Sequence, residues 1–145
     1  MSTRTSHLPP HGQTKFITDG GLETTLIFHD GIELPHFASF DLLKTDAGCA
    51  RITAYYERYL DLAKQAQAGF ILESPTWRAN RDWGAKIGYD EAQLAEINRK
   101  AIALMADLRD RYHSDATPCL ISGNIGPRGD GYGPSGRMTI KQARA

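Results

Sequence analysis

Acidic residues and glycines follow the first short apolar run of the chain. The run Phe16–Thr18 is followed at once by Asp19, Gly20 and Gly21, and then by Glu23. Glycine has no Cβ atom, so its backbone can turn tightly and can approach a small molecule closely. The neighbouring carboxylates would place negative charge beside those open N–H groups. This order of residues indicates a ligand-binding loop at the end of a strand, and a plain turn is the alternative.

Two later segments repeat this arrangement of an apolar run followed by polar residues, glycine or proline. The second segment extends from Gly69 to Asn80, and the third extends from Cys119 to Tyr132. A single cluster of this kind is weak evidence for a site. Its repetition at similar places favours binding loops over plain turns.

Helical patterns separate the three segments. Apolar and aromatic side chains recur on one face of a 3.6-residue period, which predicts helices over Ala50–Gln67 and Glu91–Arg111. Asp90, with Gln93 three residues later, is typical of a capping box at the start of the second helix. Gly69 is interpreted as the C-terminal stop of the first helix.

The elements therefore alternate between strand and helix, and a last helix begins near Thr139. Such alternation predicts a parallel sheet with right-handed connections. The apolar runs are continuous, as in strands that are covered on both faces. In open sheets and in barrels of this class, ligands bind at the carboxyl ends of the strands, where all three polar clusters fall. The predicted strands are Phe16–Thr18, Phe70–Glu73 and Leu120–Ser122.

Composition points to one ordinary globular domain. The chain has 145 residues, of which 41% are hydrophobic, with 17 basic and 17 acidic side chains. Balanced charge argues against a nucleic-acid surface, and no apolar run approaches the length of a membrane span. The polar segment Met1–Thr14 is predicted to be a flexible tail. It has no apolar core for a signal peptide, so a cytoplasmic location is expected.

Three motifs taken together resemble the homocysteine S-methyltransferase family: Asp19–Leu26, Glu73–Asn80 and Gly123–Tyr132. The resemblance covers residues 15–145, which it identifies as a partial homocysteine-binding domain. It implies a (β/α)8 barrel and a reaction in which a zinc-bound homocysteine thiolate accepts a methyl group and becomes methionine. Homocysteine and a small methyl donor, for which a sulfonium is one candidate, are the implied partners.

The same resemblance implies that part of the family's enzyme is missing. A (β/α)8 barrel typically takes about 250 residues, so this α/β chain is expected to be its N-terminal portion, about three βα units, truncated or split after the third strand. The family's zinc ligands are one cysteine after an asparagine and a vicinal cysteine pair after glycines. Cys49 and Cys119 match neither motif. Zinc is therefore expected for the complete enzyme with ligands outside this chain, and methyl transfer is not expected of the chain alone.

Position by position, the resemblance assigns the first loop to the amino-acid part of homocysteine. The N–H groups of Gly20 and Gly21 would pair with the carboxylate, and Asp19 would take the ammonium or fix the loop. Glu23 is either a second polar contact or an acid favoured by the start of a helix.

The second loop is implied to face the methyl donor through Thr76, Trp77, Arg78 and Asn80. Trp77 would attract a cationic donor through its ring face, or it would be a core or lid aromatic. Arg78 would disfavour such a donor unless Glu73 neutralises it. Asn124, at the end of the third strand, would hydrogen-bond the ligand.

Two other functions compete with this interpretation. One is a non-catalytic half-barrel that pairs with itself or with a partner protein. The other is an unrelated barrel enzyme that uses Asp19 and Glu73 as acid and base, which would require displaced pKa values. His29 and His36, in the loop after the first strand, are either active-site groups or ordinary surface residues.

Overall fold

A computed structural model describes residues 14–133 and 137–144 of the chain. The predicted flexible tail, Met1–Thr14, lies outside the described residues except for Thr14, and the domain boundary at Lys15 stays a prediction. Within the described residues, no helix is both long enough and apolar enough to cross a membrane.

A parallel sheet with helices forms the described part of the protein. The central strand β2 (Gly69–Glu73) pairs with β1 (Phe16–Thr18) on one side and with β3 (Cys119–Ser122) on the other. Ile17 aligns with Phe70, and Leu72 aligns with Ile121. The mixed α/β class, the parallel pairing and the strand positions are confirmed. The strands are β1 Phe16–Thr18, β2 Gly69–Glu73 and β3 Cys119–Ser122.

The two faces of the sheet differ in burial. Phe70 and Leu72 of the central strand are fully buried. Ile71 points to the opposite face because side chains alternate along a strand, and it is only partly buried. Its neighbour Leu120 is also partly buried, and Thr18 is exposed. Among the described residues, the predicted cover on both faces is therefore present on one face only.

Two long helices, α2 and α4, pack against the sheet and against each other. Shorter segments follow β1 and β2, where the chain crosses the carboxyl edge of the sheet. The predicted last helix near Thr139 is confirmed as α5. The helices are α1 Leu22–Thr24, α2 Asp46–Gln65, α3 Arg81–Lys86, α4 Glu91–Tyr112 and α5 Ile140–Arg144; a π-helical turn spans Thr25–His29, and 3-10 segments span Pro35–Phe37 and Ser39–Lys44.

The capping box of α4 is confirmed. The Asp90 carboxylate accepts a hydrogen bond from the Gln93 N–H at 2.8 Å, and the Gln93 side chain accepts one from the Asp90 N–H at 2.9 Å. The interpretation of Gly69 as a helix stop is wrong. Gln67 takes the left-handed conformation after α2, with φ of 50°, and Gly69 begins β2. A Cβ at Gly69 would lie 2.5 Å from the Phe16 ring, so packing between strands explains the glycine.

Side-chain caps explain the helix starts that periodicity missed. The Thr45 hydroxyl accepts a hydrogen bond from the Gly48 N–H at 3.0 Å, so α2 begins at Asp46 rather than at Ala50. Asn80 caps α3 by accepting from two backbone N–H groups. α3 has six residues, which is too few to show a helical period.

Candidate functional site

The carboxyl ends of the three strands lie at one edge of the sheet, because the strands are parallel. Asp19 follows β1, Glu73 ends β2, and Asn124 lies just beyond β3. A cleft of about 840 Å³ opens at this edge. Carboxylates, aromatic rings and an arginine line the cleft. The lining residues are Gly21, Glu23, Thr24, His36, Phe37, Trp77, Arg78, Trp83, Asn124, Asp130 and Tyr132.

The loop after β1 faces both the cleft and helix α2. The Asp19 carboxylate accepts a hydrogen bond from the Tyr55 hydroxyl of α2 at 2.7 Å. A Cβ on Gly20 would lie 2.8 Å from the Tyr59 hydroxyl, so the close approach at Gly20 is to α2. Gly21 lines the cleft directly. The two predicted loop glycines therefore face different neighbours.

Three carboxylates form one acidic group: Asp19 from the loop after β1, Glu23 from α1 and Glu73 from β2. Of these, Glu23 lines the cleft, and Asp19 and Glu73 lie outside its lining. Burial raises the pKa of Asp19, the hydrogen bond from Tyr55 lowers it, and the charge of Glu23 raises it. Burial also raises the pKa of Glu73, with further increases from the other two carboxylates. The Ser39 hydroxyl donates to the Glu23 carboxylate at 2.7 Å and fixes its position. This acidic group suits a ligand that carries an ammonium.

A hydrogen-bond network ties the second loop to the third. The hydroxyls of Ser74 and Thr76 lie 2.7 Å apart. Thr76 donates to the Asn124 carbonyl at 2.7 Å, and the Asn124 N–H donates to Ser74 at 3.0 Å. Thr76 is thus committed to the scaffold and does not line the cleft, whereas Asn124 does. Asn80, predicted to face the donor, caps α3 and donates to the Pro127 carbonyl at 3.3 Å.

Arg78 lies buried between two tryptophans, with 8% of its surface exposed. Its guanidinium carbon is 3.8 Å from the ring centroid of Trp83 and 4.5 Å from that of Trp77. It also donates to the His36 carbonyl. Glu73 does not neutralise it, because none of the ion pairs among residues 14–133 and 137–144 includes Arg78. The Trp77 ring, for which attraction of a cationic methyl donor is one predicted role, is thus already in contact with the Arg78 guanidinium.

Some lining residues, Phe37 and Trp83 among them, are not assigned to the site from the sequence, and His36, which the sequence leaves open between an active-site and a surface role, lines the cleft. His36 and Phe37 have φ angles of 52° and 58°, a region that side chains with a Cβ rarely occupy. Trp83 comes from α3, and its burial depends on contacts that no local pattern encodes. The sequence does contain one signal for the start of α3. Asn80 is a favourable N-cap residue, and Asp82 is an acidic residue in the first turn that follows it. His29 is exposed and lies outside the lining of the cleft.

The described residues do not fit the zinc site that the family resemblance implies. Within them, no group of three or more histidine, cysteine, aspartate or glutamate side chains is arranged to hold a metal ion. Cys119 begins β3, at the far end of the strand from the cleft, and burial raises the pKa of its thiol. Cys49 lies on α2 with its sulfur 3.5 Å from the Leu43 carbonyl. Neither cysteine lines the cleft.

The environments of Asp19 and Glu73 do not favour a general acid paired with a general base. Such pairs depend on surroundings that push the two pKa values apart. Here burial raises the pKa of both groups, and the charge of Glu23 raises both further. The pair is better suited to binding positive charge than to dividing the roles of acid and base.

We expect Asp19→Asn to stabilise the fold at pH 7 by roughly 0.5 kcal/mol, a small figure because Asp19 is only partly buried. The pKa of Asp19 is raised in the folded state, so its contribution to stability is present below the unfolded-state pKa and is lost as pH rises through the folded-state pKa. Asparagine removes the charge and keeps an acceptor for Tyr55. The gain in melting temperature should be present at pH 7 and shrink towards pH 3.5.

The exposed Asp115 provides the matched control, since Asp115→Asn makes the same chemical change away from the acidic group. Its melting temperature should follow that of the wild type at both pH values. A loss of stability in Asp19→Asn at pH 7 would contradict the expectation.

One protein family matches nearly the whole chain. The family described as homocysteine S-methyltransferase matches residues 16–145. No curated protein and no solved structure gave a significant match.

Proposed function

The chain belongs to the homocysteine S-methyltransferase family, and from that membership we propose that its strand-end cleft binds homocysteine as the acceptor of a methyl group. The reaction would convert the homocysteine thiolate to methionine. The observation that carries the proposal is the cleft itself, where Gly21 and Glu23 from the segment after β1 meet Asn124 from the loop after β3.

The amino-acid end of homocysteine fits the β1 side of the cleft. Glu23, which lines the cleft, supplies the negative charge that an ammonium needs, and Asp19 and Glu73 add to that charge from outside the lining. The backbone N–H groups of Gly20 and Gly21 would bind the carboxylate, and Asn124 would add a hydrogen bond. The sulfur would then point towards Trp77 and Arg78, the side at which we place the methyl donor.

The nucleophile of the proposed reaction is the homocysteine thiolate, since the thiol itself is a poor nucleophile. A zinc ion, when bound, would favour the deprotonated sulfur near neutral pH. The described residues do not fit such an ion. We therefore propose that this chain binds and orients homocysteine, and that the groups that activate the thiol come from further polypeptide.

The sheet supports the assignment to the N-terminal part of a (β/α)8 barrel, spanning residues 15–145. Its strands are parallel and sequential in space, as neighbouring barrel strands are. The face with Thr18, Ile71 and Leu120 is only partly covered in the described residues. In a complete barrel this face would be packed against the inward side chains of the remaining strands.

A non-catalytic half-barrel is the second candidate, and the same partly covered face favours it. Parallel strands with free edges pair readily with another chain. Such a protein would bind homocysteine or a related amino acid without transferring a methyl group. The methyltransferase and the non-catalytic half-barrel share the ligand site. They differ in whether methionine forms once the groups that activate the thiol are supplied.

The test is calorimetric titration of the full chain with reduced L-homocysteine, paired with 4-mercaptobutyrate, which lacks only the amino group. We expect the analogue to bind at least about tenfold more weakly, because it loses a charge-assisted hydrogen bond worth roughly 1.5–3 kcal/mol. Glu23→Gln should reduce that difference between the ligands.

Glu96→Gln is the matched control, since Glu96 is exposed on α4 and outside the cleft. It should leave both affinities unchanged. Equal binding of the two ligands, or no heat of binding with millimolar homocysteine, would count against the proposed function.

A further inference from the structure

Arg78 is a buried cation for which the described residues supply no counterion. Its side chain is 8% exposed, and no ion pair in the described ranges includes it. Its Nε atom is buried and has no hydrogen-bond partner within those ranges. Burying an unpaired charge is costly, and arginine cannot escape the cost by losing its proton. Within the described ranges, no anion balances the buried charge of Arg78.

Aromatic rings and one backbone carbonyl fix the position of the Arg78 guanidinium. The rings of Trp83 and Trp77 lie 3.8 Å and 4.5 Å from the guanidinium carbon, and Phe37 lies at 5.9 Å. One nitrogen is committed to the His36 carbonyl. Arg78 also lines the cleft, so the part of the residue that remains exposed presents a fixed, planar guanidinium to a ligand there.

We propose that Arg78 is the carboxylate-recognition residue of the cleft, on the tryptophan side. The charges of the lining favour a monoanion over a phosphate, because Glu23 and Asp130 also line the cleft and would repel a dianion. A small molecule with one carboxylate and one cationic group matches this distribution. The inference rests on the proposed function, which places the homocysteine carboxylate at Gly20 and Gly21, so the carboxylate at Arg78 belongs to the methyl donor unless homocysteine binds in the opposite orientation.

The alternative role for Arg78 is purely structural. It ties the segment of His36 and Phe37, which has left-handed φ angles, to the two tryptophans. A structural arginine would respond to substitution, but it would not distinguish a carboxylate from an amide of the same shape. The experiment therefore compares sodium acetate with acetamide.

The chain has two tryptophans, and both flank Arg78, so the indole N–H resonances report directly on this position. At constant pH and ionic strength, acetate should shift these resonances saturably, and acetamide should bind at least about tenfold more weakly. Arg78→Met should abolish the difference between the two probes. Arg78→Lys, which keeps the charge and loses the fork, should give an intermediate result.

Lys86→Met is the matched control. The Lys86 ammonium also lies over Trp83, at 3.7 Å, but it is exposed and outside the lining of the cleft. This variant should keep the preference for acetate. Equal shifts with acetate and acetamide in the wild type would overturn the inference even if the Arg78 variants fail to fold. Tighter binding of inorganic phosphate than of acetate would overturn the assignment to a carboxylate.

Competition identifies the source of the carboxylate. If homocysteine supplies it, saturating L-homocysteine should displace acetate. If the methyl donor supplies the carboxylate, acetate and L-homocysteine should bind to the cleft at the same time. If the chain binds acetate through Arg78 but does not bind homocysteine, the proposed function is refuted and the carboxylate role of Arg78 is supported. If the chain binds homocysteine but does not prefer acetate to acetamide, the carboxylate role of Arg78 is refuted and the proposed function is supported.

Discussion

We expect Trp83→Ala to lower the free energy of unfolding by about 3–5 kcal/mol, the usual cost of truncating a buried aromatic residue. Trp83 is 7% exposed and packs on the Arg78 guanidinium. Its indole N–H donates to the Gly129 carbonyl at 2.9 Å, which ties α3 to the loop after β3. Alanine would remove all of these contacts and leave Arg78 with less support. Urea unfolding at one fixed protein concentration measures the change.

Trp83→Phe separates the ring from its hydrogen bond. Phenylalanine keeps an aromatic face for Arg78 and loses the donor to Gly129, so we expect a smaller cost of about 1 kcal/mol from the hydrogen bond. A loss below 1 kcal/mol in Trp83→Ala would show that α3 is not held by this side chain. Equal losses in the two variants would assign its role to the indole N–H alone.

We expect the 145-residue chain to self-associate at low micromolar concentration and to bind no stoichiometric zinc. In the described residues, β1 and β3 form the two edges of the sheet, and their outer backbone groups are free to pair. The partly covered face with Ile71 and Leu120 adds apolar surface. Sedimentation velocity, with metal analysis of the same sample, tests both parts. A compact monomer with one tightly held zinc would contradict both.

Leu120→Lys tests whether the open face drives the association. A charge on this face of the edge strand should oppose packing against a second copy and raise the monomer fraction. Leu62→Lys is the matched control, because Leu62 is 54% exposed on α2. It makes the same substitution away from the sheet and should leave the distribution of species unchanged.

The strands and the two long helices could be predicted from the sequence because their signals are local. The strand Gly69–Glu73 contains the unbroken apolar run 70–72, and α4 shows several turns of one apolar face with a capping box at its start. α3 was missed because six residues show no period. Gly69 was misinterpreted because its glycine is required by the Phe16 ring, which lies 53 positions earlier in the chain (69 − 16).

The strand-end residues could also be identified from the sequence. Parallel strands bring their carboxyl ends to one edge, so Asp19, Glu73 and Asn124 had to share it once the alternation of elements was recognised. Family motifs added the expectation of homocysteine. Which of these side chains face the cleft did not follow from the motifs, and Thr76 and Asn80 are occupied by scaffold contacts.

By itself, the sequence determined the order of strands and helices, the parallel sheet and the edge at which the carboxyl ends of the strands meet, since each follows from periodicity, caps and chain direction. Only the tertiary structure decided the partners of the charged groups. Arg78 packs between two aromatic rings instead of pairing with Glu73, and Asp19 accepts a hydrogen bond from Tyr55, 36 positions away. Burial and electrostatic pairing depend on distances in space, and the linear order of residues does not contain those distances.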